Sequence, residues 1–311
     1  MKQFLSILIV MFCLTSCNQK VKFTETEVNI PSEKITVNGA LIEPENGEKV
    51  PLVIIIPGSG PSDRNGNVGM VKNNSLKLLA EGLKDHNIAT YRYDKSALEW
   101  MKIKDFKEEN GSFDDFIADA KSVVNYFKNT DKYSKIIIAG YSQGSLVGMI
   151  TAAENVDGFI SIAGAGRTID RIIIEQISKQ APSLIEETTT AFEILKSGEK
   201  TETLNPTLMS LLRPSVQPFM MSWMKYNPQE ELKKLTIPIL IINGTKDIQV
   251  PVFDAELLNA SNSTSEIKII NNMNHIFKEI TDNSQNITSY TNPDLPIMKE
   301  LVTSIEEFAK K

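Results

Sequence analysis

The stretch KIIIAGYSQGSLVGM, residues 135–149, joins a run of isoleucines to a run of small and apolar residues through a serine flanked by glycines. Residues 135–139 are predicted to form a buried strand, and a helix is predicted from Ser142 to about Ala153. The intervening Gly-Tyr-Ser-Gln-Gly is typical of a sharp strand-to-helix turn that exposes a serine hydroxyl above a sheet. Its glycines permit the close approach of strand and helix that such a turn requires. The stretch therefore predicts a sheet with Ser142 at the carboxyl end of one strand.

The rest of the chain alternates predicted strands with predicted helices. Further strands are predicted at Ile35–Leu41, Leu52–Ile56, Ile88–Tyr93, Gly158–Ile162, Ile237–Ile242 and Glu266–Ile270. Further helices are predicted at Asn74–Asp85, Ser112–Asn129 and Ile297–Lys310. This alternation is typical of parallel βαβ units, in which helices cover both faces of the sheet. The predicted fold class is α/β, with a mostly parallel twisted sheet and helices on both faces.

Residues 164–235 interrupt the alternation. They are helical in character, contain no convincing strand, and carry many methionines and large apolar residues, so we expect a helical cap insertion over one end of the sheet. The sheet and its helices then occupy residues 35–163 and 236–311. Residues 17–34 are polar and are predicted to form a tether that leads into the first strand.

The first residues are typical of an export signal. Lys2 supplies a positive charge, and residues 4–14 form an apolar stretch of 11 residues, which is shorter than the roughly 20 residues that span a bilayer. Leu-Thr-Ser-Cys at 14–17 resembles the lipobox of bacterial lipoproteins, in which the cysteine is acylated. The resemblance implies a signal peptide over residues 1–16, lipidation of Cys17, and a membrane-anchored protein of the bacterial cell envelope, either periplasmic or on the cell surface. An ordinary cleaved signal peptide, with the cysteine incidental, is the alternative.

Composition limits the classes of partner. A chain of 311 residues with 41% apolar side chains is long enough to bury a full core. Its formal net charge is -6, and no basic run is interleaved with aromatic residues, so nucleic acid is not an expected partner. Both cysteines, Cys13 and Cys17, lie in the N-terminal segment, so we expect no disulfide and no cysteine-based metal site in the folded part. Neither a metal nor a cofactor is expected, and the oligomeric state stays open.

A serine hydroxyl is a weak nucleophile, so Ser142 needs a base within hydrogen-bond reach. The chain contains two histidines. His86 ends a predicted helix and is interpreted as a polar residue that faces water. His275 lies in a loop just after the last predicted strand, where functional residues of an open parallel sheet gather. His275 is therefore the predicted general base.

The imidazole in turn needs a carboxylate, which holds its tautomer and stabilises the imidazolium that forms. Asp247 follows the predicted strand at 237–242 and is the predicted acid, with turn capping as its alternative role. Asp254 is the rival, but it is interpreted as starting or facing a helix after Pro251. The predicted order of the three catalytic residues along the chain is serine, aspartate, histidine.

Acyl transfer also needs two donors for the negatively charged oxygen of the tetrahedral intermediate. The backbone N–H of Gln143, directly after the predicted nucleophile, is one candidate. The sequence Pro-Gly-Ser-Gly-Pro at 57–61 follows the buried strand at 52–56, and the backbone N–H of Ser59 is the second candidate. An ordinary Gly/Pro turn is the alternative interpretation of that loop.

The order Ser142, Asp247, His275, the strand-turn-helix context and the helical insertion together resemble the α/β-hydrolase superfamily, over essentially the whole mature chain. More narrowly, PGSGPSDRNG at 57–66 and NGTKDIQVP at 243–251 are similar to a group of bacterial carboxylesterases that act on short acyl esters. The resemblance implies a serine hydrolase that cleaves a small-molecule carboxylic ester through an acyl-enzyme intermediate.

The same resemblance implies that Asp63, Arg64 and Asn65 shape the mouth of the site. For Asp63 and Arg64, a salt bridge or a turn is an equally good interpretation. In the insertion, four residues with helical spacing are candidates to line an acyl pocket: Phe219, Met220, Trp223 and Met224. Packing within the insertion is the alternative role of these four residues.

Two further functions stay open at this point. A peptidase or acyl-peptide hydrolase would use the same three catalytic residues, because they also cleave amides. A non-catalytic surface binding protein could share the fold, since one fold serves many functions.

Overall fold

The computed structural model describes residues 21–153, 156–202 and 205–311. The strands of its sheet are β1 (Phe23–Pro31), β2 (Thr36–Pro44), β3 (Leu52–Ile56), β4 (Ala89–Tyr93), β5 (Ile136–Tyr141), β6 (Gly158–Ile162), β7 (Ile239–Gly244) and β8 (Ser265–Ile270). The α-helices are α1 (Ser75–Lys84), α2 (Ser96–Trp100), α3 (Phe113–Lys128), α4 (Gln143–Ala152), α5 (Ile169–Gln180), α6 (Ile185–Lys196), α7 (Met209–Leu212), α8 (Gln217–Met224), α9 (Pro228–Lys233), α10 (Val252–Ser261), α11 (Asn286–Ser289) and α12 (Lys299–Lys310). The predicted signal peptide at 1–16 and Cys17 lie outside the described residues.

The strands form one eight-stranded sheet in the order β1-β2-β4-β3-β5-β6-β7-β8. The pairs β1·β2 and β2·β4 are antiparallel, and all pairs from β4 to β8 are parallel. The chain crosses from β3 to β4 on one side and then returns to place β5 on the other side of β3. Ligands of open parallel sheets bind at such a switch point, outside the carboxyl ends of the strands.

Side chains that alternate along the strands pack against helices on both faces of the sheet. In β3, Ile54 belongs to a core with residues of α3, α4 and α10, while Ile55 belongs to a core with residues of α1 and α12. All five residues of β3 are buried, as its uninterrupted apolar run predicted. The predicted α/β class is confirmed.

The predicted tether at 17–34 is wrong for Phe23–Pro31, which form β1. This strand pairs with β2 along its whole length, from Phe23 opposite Pro44 to Pro31 opposite Thr36. Within β1, Ile30 is the buried side chain, and most of the others are exposed. β1 is an edge strand, so it has one strand neighbour and most of its side chains face solvent. Its composition is polar for this reason, and a polar composition is also typical of a tether.

The helices α5 to α9 lie between β6 and β7, and α5 to α8 enclose an apolar core of their own, which includes Phe192, Leu208 and Leu212. The start of this segment is fastened to α10. The carboxylate of Asp254, which is fully buried, accepts hydrogen bonds from the backbone N–H of Gly166 and from the guanidinium of Arg167. The rival candidate for the catalytic acid therefore holds the start of the helical segment against α10.

Removal of one partner from this ion pair leaves a buried carboxylate without its cation. We expect Arg167→Met to lower the free energy of unfolding by about 2 kcal/mol. The reason is that the Asp254 carboxylate stays buried in the folded state but loses the cation that stabilises it there. The control is Arg171→Met, because the Arg171 side chain is 67% exposed and its partner Asp170 keeps the nearer cation Lys196, at 2.8 Å. Urea unfolding measures both variants, and equal stability of the two would contradict the role given to Asp254.

Candidate active site

Ser142 lies on the turn between β5 and α4, with φ 53° and ψ −120°. A residue other than glycine with these backbone dihedral angles is strained by about 1–3 kcal/mol, and such strain persists only where the surrounding structure holds it. Here the backbone N–H of Ser142 donates to the carbonyl oxygen of Ile162, at 2.9 Å, at the end of the neighbouring strand β6. The turn thereby keeps the serine side chain at the carboxyl edge of the sheet.

The two glycines of the turn are required by close backbone contacts. A Cβ atom on Gly140 would lie 2.3 Å from the carbonyl oxygen of Gly144, and one on Gly144 would lie 2.4 Å from the carbonyl oxygen of Ile56. Real Cβ atoms do not approach other atoms so closely. The predicted reason for the glycines, the close approach of strand and helix, is thus observed.

The structure brings the three predicted catalytic side chains together in one line. The Nε2 atom of His275 lies 3.1 Å from Oγ of Ser142, and Nδ1 lies 2.7 Å from Oδ2 of Asp247. The histidine is only 2% exposed, and the ring of Tyr141 packs against it with centroids 5.2 Å apart. A carboxylate on Nδ1 favours the tautomer with its proton there, so that Nε2 is free to accept from the serine hydroxyl.

The second oxygen of Asp247 holds the carboxylate in place. Oδ1 accepts hydrogen bonds from the backbone N–H groups of Gln249 and Val250, each at 2.8 Å, and the side chain is fully buried. The turn-capping role that the sequence left open is therefore filled by one oxygen, while the other faces His275. A carboxylate fixed in this way orients the imidazole.

The loop that carries His275 is fastened by its neighbour Asn274. The buried Asn274 side chain donates to Oδ1 of Asn286 at 3.2 Å and to Oγ of Ser289 at 2.9 Å, both in α11. Sequence analysis did not predict α11. The side chain of Asn286 also donates to the carbonyl oxygen of Lys246 at 2.8 Å, so α11 joins the histidine loop to the loop that carries Asp247.

The predicted oxyanion loop lies beside the nucleophile. A Cβ atom on Gly58 would lie 3.3 Å from Cβ of Ser142, and Ser59 follows at the exposed tip of the loop. Within the described part of the chain, the backbone N–H groups of Ser59 and Gln143 donate to no protein acceptor. Both groups are thus available to a ligand.

The predicted mouth residues form salt bridges and turns. Arg64 binds the carboxylate of Asp94, with Nη2 2.7 Å from Oδ2, and this partner raises the pKa of the guanidinium. Oδ1 of Asp63 accepts from the backbone N–H groups of Asn65 and Asn67. These are the alternative roles that the sequence left open, and substrate binding by Arg64 stays a prediction.

The four candidates for an acyl pocket belong to α8. Trp223 stacks on Phe113 of α3 with ring centroids 5.5 Å apart, and Phe219 packs edge-on against Phe116 of α3 at the same separation. The other two, Met220 and Met224, belong to or border the apolar core of the helical segment. All four take part in packing, and the acyl pocket stays a prediction.

Sequence analysis missed one charged residue at the site, Lys95. It follows β4, is 3% exposed, and donates to the carbonyl oxygen of Gly58 and to Oε1 of Gln143. Burial lowers its pKa to about 7. The available signal was its position just beyond the carboxyl end of a buried strand, where functional residues of parallel sheets gather.

Some other predicted features lie away from this site. His86 is half-buried and pairs with Glu306 of α12, with Nδ1 2.5 Å from Oε2, rather than facing water alone. Among residues 21–153, 156–202 and 205–311, no group of three His, Cys, Asp or Glu side chains is placed to hold a metal ion. A search of the same residues for helices that could cross a membrane finds none long and apolar enough.

Comparison with known proteins gives one family, one curated relative and many similar structures. The serine aminopeptidase S33 family matches residues 73–280, a span that contains Ser142, Asp247 and His275. Esterase EstD of Thermotoga maritima is 28% identical over an alignment of 274 positions, and the alignment covers 81% of this chain and 64% of EstD. The chain thus spans less than two thirds of the length of that relative.

The similar structures share the fold. Est1E from Butyrivibrio proteoclasticus superposes with a TM-score of 0.59 at 19% identity, over 92% of this chain and 99% of that one. An esterase from Pyrococcus furiosus gives a TM-score of 0.56 at 16% identity, over 93% and 91% of the two chains. With the sheet, the strained serine and the family match in agreement, the chain belongs to the serine aminopeptidase S33 family of α/β-hydrolases.

Proposed function

We propose that this protein is a serine esterase that cleaves short-chain carboxylic esters. The observation that carries the proposal is the line of hydrogen bonds from Asp247 through His275 to Ser142, at 2.7 Å and 3.1 Å, next to two free backbone N–H groups. A nucleophile, a base, an orienting acid and an oxyanion hole are the parts that acyl transfer needs.

In the first half of the reaction, Oγ of Ser142 attacks the ester carbonyl carbon while Nε2 of His275 takes its proton. Asp247 stabilises the imidazolium that forms. The carbonyl oxygen becomes negatively charged and accepts hydrogen bonds from the N–H groups of Ser59 and Gln143, a contribution of about 100- to 1000-fold in kcat for each such donor. His275 then gives its proton to the leaving alcohol, and the acyl group stays on the serine.

In the second half, a water molecule replaces the alcohol. Nε2 of His275 takes a proton from this water as its oxygen attacks the acyl carbon, and the same two N–H groups stabilise the second tetrahedral intermediate. When the bond to Oγ of Ser142 breaks, the proton returns to the serine and the carboxylic acid leaves.

A peptidase is the second candidate, because the matched family is named for an aminopeptidase. An aminopeptidase must bind the positively charged amino terminus of its substrate, for which an unpaired carboxylate is the natural partner. The cavity beside Asp247 also contains Glu175, but the Glu175 carboxylate already binds Arg167 and Lys179. Asp247 is fully engaged as well, so these contacts favour the ester, as does the esterase name of the relative EstD.

Short acyl groups are proposed because the cap side chains that could line an acyl pocket are already packed. Trp223 and Phe219 fill the space against Phe113 and Phe116 of α3. A long acyl chain that entered here would separate these rings, which costs the free energy of their buried contacts. A series of p-nitrophenyl esters from acetate to palmitate should therefore show kcat/KM falling beyond the short chains.

The catalytic assignment is tested by substitution. We expect Ser142→Ala and His275→Ala to abolish hydrolysis of p-nitrophenyl butyrate, and Asp247→Asn to lower kcat by up to about four orders of magnitude, because the imidazole loses its tautomer. Matched controls are His86→Ala and Asp282→Asn, which should keep the activity, since His86 pairs with Glu306 and Asp282 caps an exposed turn. Full activity of the Ser142 variant would refute the proposal.

The choice between ester and amide is tested with paired substrates. The enzyme should hydrolyse p-nitrophenyl butyrate with a kcat/KM far above that for aminoacyl p-nitroanilides, because among the described residues both carboxylates that line the cavity, Glu175 and Asp247, are already paired. A higher kcat/KM for the anilides would favour the peptidase. Hydrolysis of neither class, in a folded protein, would favour the non-catalytic binding protein.

We further propose that Cys17 is acylated and anchors the protein in the bacterial cell envelope, as its lipobox-like sequence predicts. The anchor would hold the folded part close to the membrane. Since β1 begins at Phe23, residues 18–22 separate it from Cys17, and five residues reach at most about 18 Å when fully extended.

The anchor is tested by expression of the full chain in a bacterium that processes lipoproteins. We expect the protein to sediment with membranes, and Cys17→Ser to release it, because lipidation supplies most of the membrane affinity. Cys13→Ser is the matched control and should stay with the membranes. Unchanged sedimentation of the Cys17 variant would contradict acylation at this residue.

A further inference from the structure

Lys95 connects the two segments that carry the proposed oxyanion donors. Its ammonium group donates to the carbonyl oxygen of Gly58, in the loop after β3, and to the side-chain oxygen of Gln143, at the start of α4. It also lies over the ring of Phe116, 4.3 Å from the centroid. The side chain is buried, so these contacts are made out of water.

The contacts fit the protonated form of the lysine. An ammonium group has three N–H donors and no acceptor, whereas a neutral amine has two donors and one acceptor. All three neighbours of Nζ are electron-rich: two oxygens and the face of an aromatic ring. The buried carboxylate of Asp119 lines the same small cavity but accepts from Oγ of Ser96. Below its lowered pKa of about 7, Lys95 acts on the two loop segments as a cation, and above it the neutral amine keeps two N–H donors for the same two oxygens.

The contact with Gly58 also orients the N–H of Ser59, because both groups belong to the same peptide unit. A trans peptide is planar, and its C=O and N–H bonds point in opposite directions. No cis peptide bond occurs among the described residues. With the carbonyl oxygen drawn toward Lys95, the N–H of Ser59 must point away from the lysine. A positive donor on the carbonyl also polarises the peptide and makes its N–H a stronger donor.

The contact with Gln143 fixes the second donor relative to the first. Gln143 is the first residue of α4, and N–H groups in the first turn of a helix have no partner within the helix. Its side chain is buried and ends on Lys95. One ammonium group thus sets the spacing between the peptide of Ser59 and the first turn of α4.

We propose that Lys95 is a positioning residue of the oxyanion hole: it orients the Gly58–Ser59 peptide and holds that peptide at a fixed distance from Gln143. The proposal rests on the proposed esterase function. Lys95 does not touch the substrate, and it acts through the two backbone N–H groups that do.

This role is separable from support of the fold. The later part of the loop after β3 is held by contacts that do not involve the Lys95 side chain. The backbone N–H of Lys95 donates to the carbonyl oxygen of Ser62, and Arg64 binds Asp94. A methionine at position 95 keeps these backbone contacts and much of the volume. It also removes a buried charge, whose desolvation is costly. We therefore expect Lys95→Met to fold.

The test compares ground-state and transition-state binding. For Lys95→Met we expect kcat for p-nitrophenyl butyrate to fall by about 100-fold, the effect of weakening one oxyanion donor. KM should stay within about threefold, because the donors act chiefly on the charged intermediate. The affinity for a trifluoromethyl ketone, whose adduct with the serine carries an oxyanion, should fall by a similar factor. The melting temperature is measured on the same samples.

Two further variants sharpen the comparison. Lys278→Met removes another buried lysine, whose Nζ donates to the carbonyl oxygen of Leu295, and it should leave kcat unchanged. Gln143→Leu breaks the same contact from the other side. Because the two residues act through one interaction, the double variant with Lys95→Met should be little worse than the worse single variant.

Three results would overturn the proposal. Wild-type kcat and ketone affinity in Lys95→Met would show that the lysine does not position the donors. A fall in kcat that matches the loss of folded protein would show a structural role only. Strictly additive effects with Gln143→Leu would show that the two side chains act independently. An active Ser142→Ala variant would instead refute the esterase function itself, so the two failures are distinguishable.

Discussion

The hydrogen bond between His275 and Ser142 is the interaction on which the proposed function depends, and it exists because parallel strands end at one edge. Ser142 follows β5, Asp247 follows β7 and His275 follows β8. Residues so far apart in the chain meet only because these strands run in the same direction in one sheet. The imidazole is buried between a fixed carboxylate and a strained serine, so the proposed proton transfer would need little movement of these groups.

The strain at Ser142 is supported by the tight packing around it. Gly140 and Gly144 bring β5, α4 and the loop after β3 into backbone contact, and any added carbon atom would collide with a carbonyl group. The same compactness places the Gly58 loop next to the nucleophile. Lys95 joins the Gly58 loop to α4, and its ammonium group is stabilised by two oxygens and by the ring of Phe116. The positions of the site residues are therefore fixed mainly by close contacts between backbone segments.

Local patterns in the sequence were sufficient for the features that depend on neighbouring residues. The strand Leu52–Ile56 has the predicted bounds, and the turn at Ser142 has the predicted geometry, because uninterrupted apolar runs and paired glycines act locally. The strand β1 was missed because the pairing of an edge strand is specified by its partner, and its own side chains are polar. The contacts of Lys95 and the use of Asp254 as an anchor for Arg167 depend on segments distant in sequence, which no local pattern reveals.

The most direct test of the central claim is the site and rate of modification by a fluorophosphonate, followed by mass spectrometry of the digested protein. The account predicts a single adduct on the peptide that contains Ser142, formed rapidly in the native protein and lost in the His275→Ala variant, because the hydroxyl is nucleophilic only when the imidazole takes its proton. An adduct on another residue, or equal labelling with and without the imidazole, would contradict it.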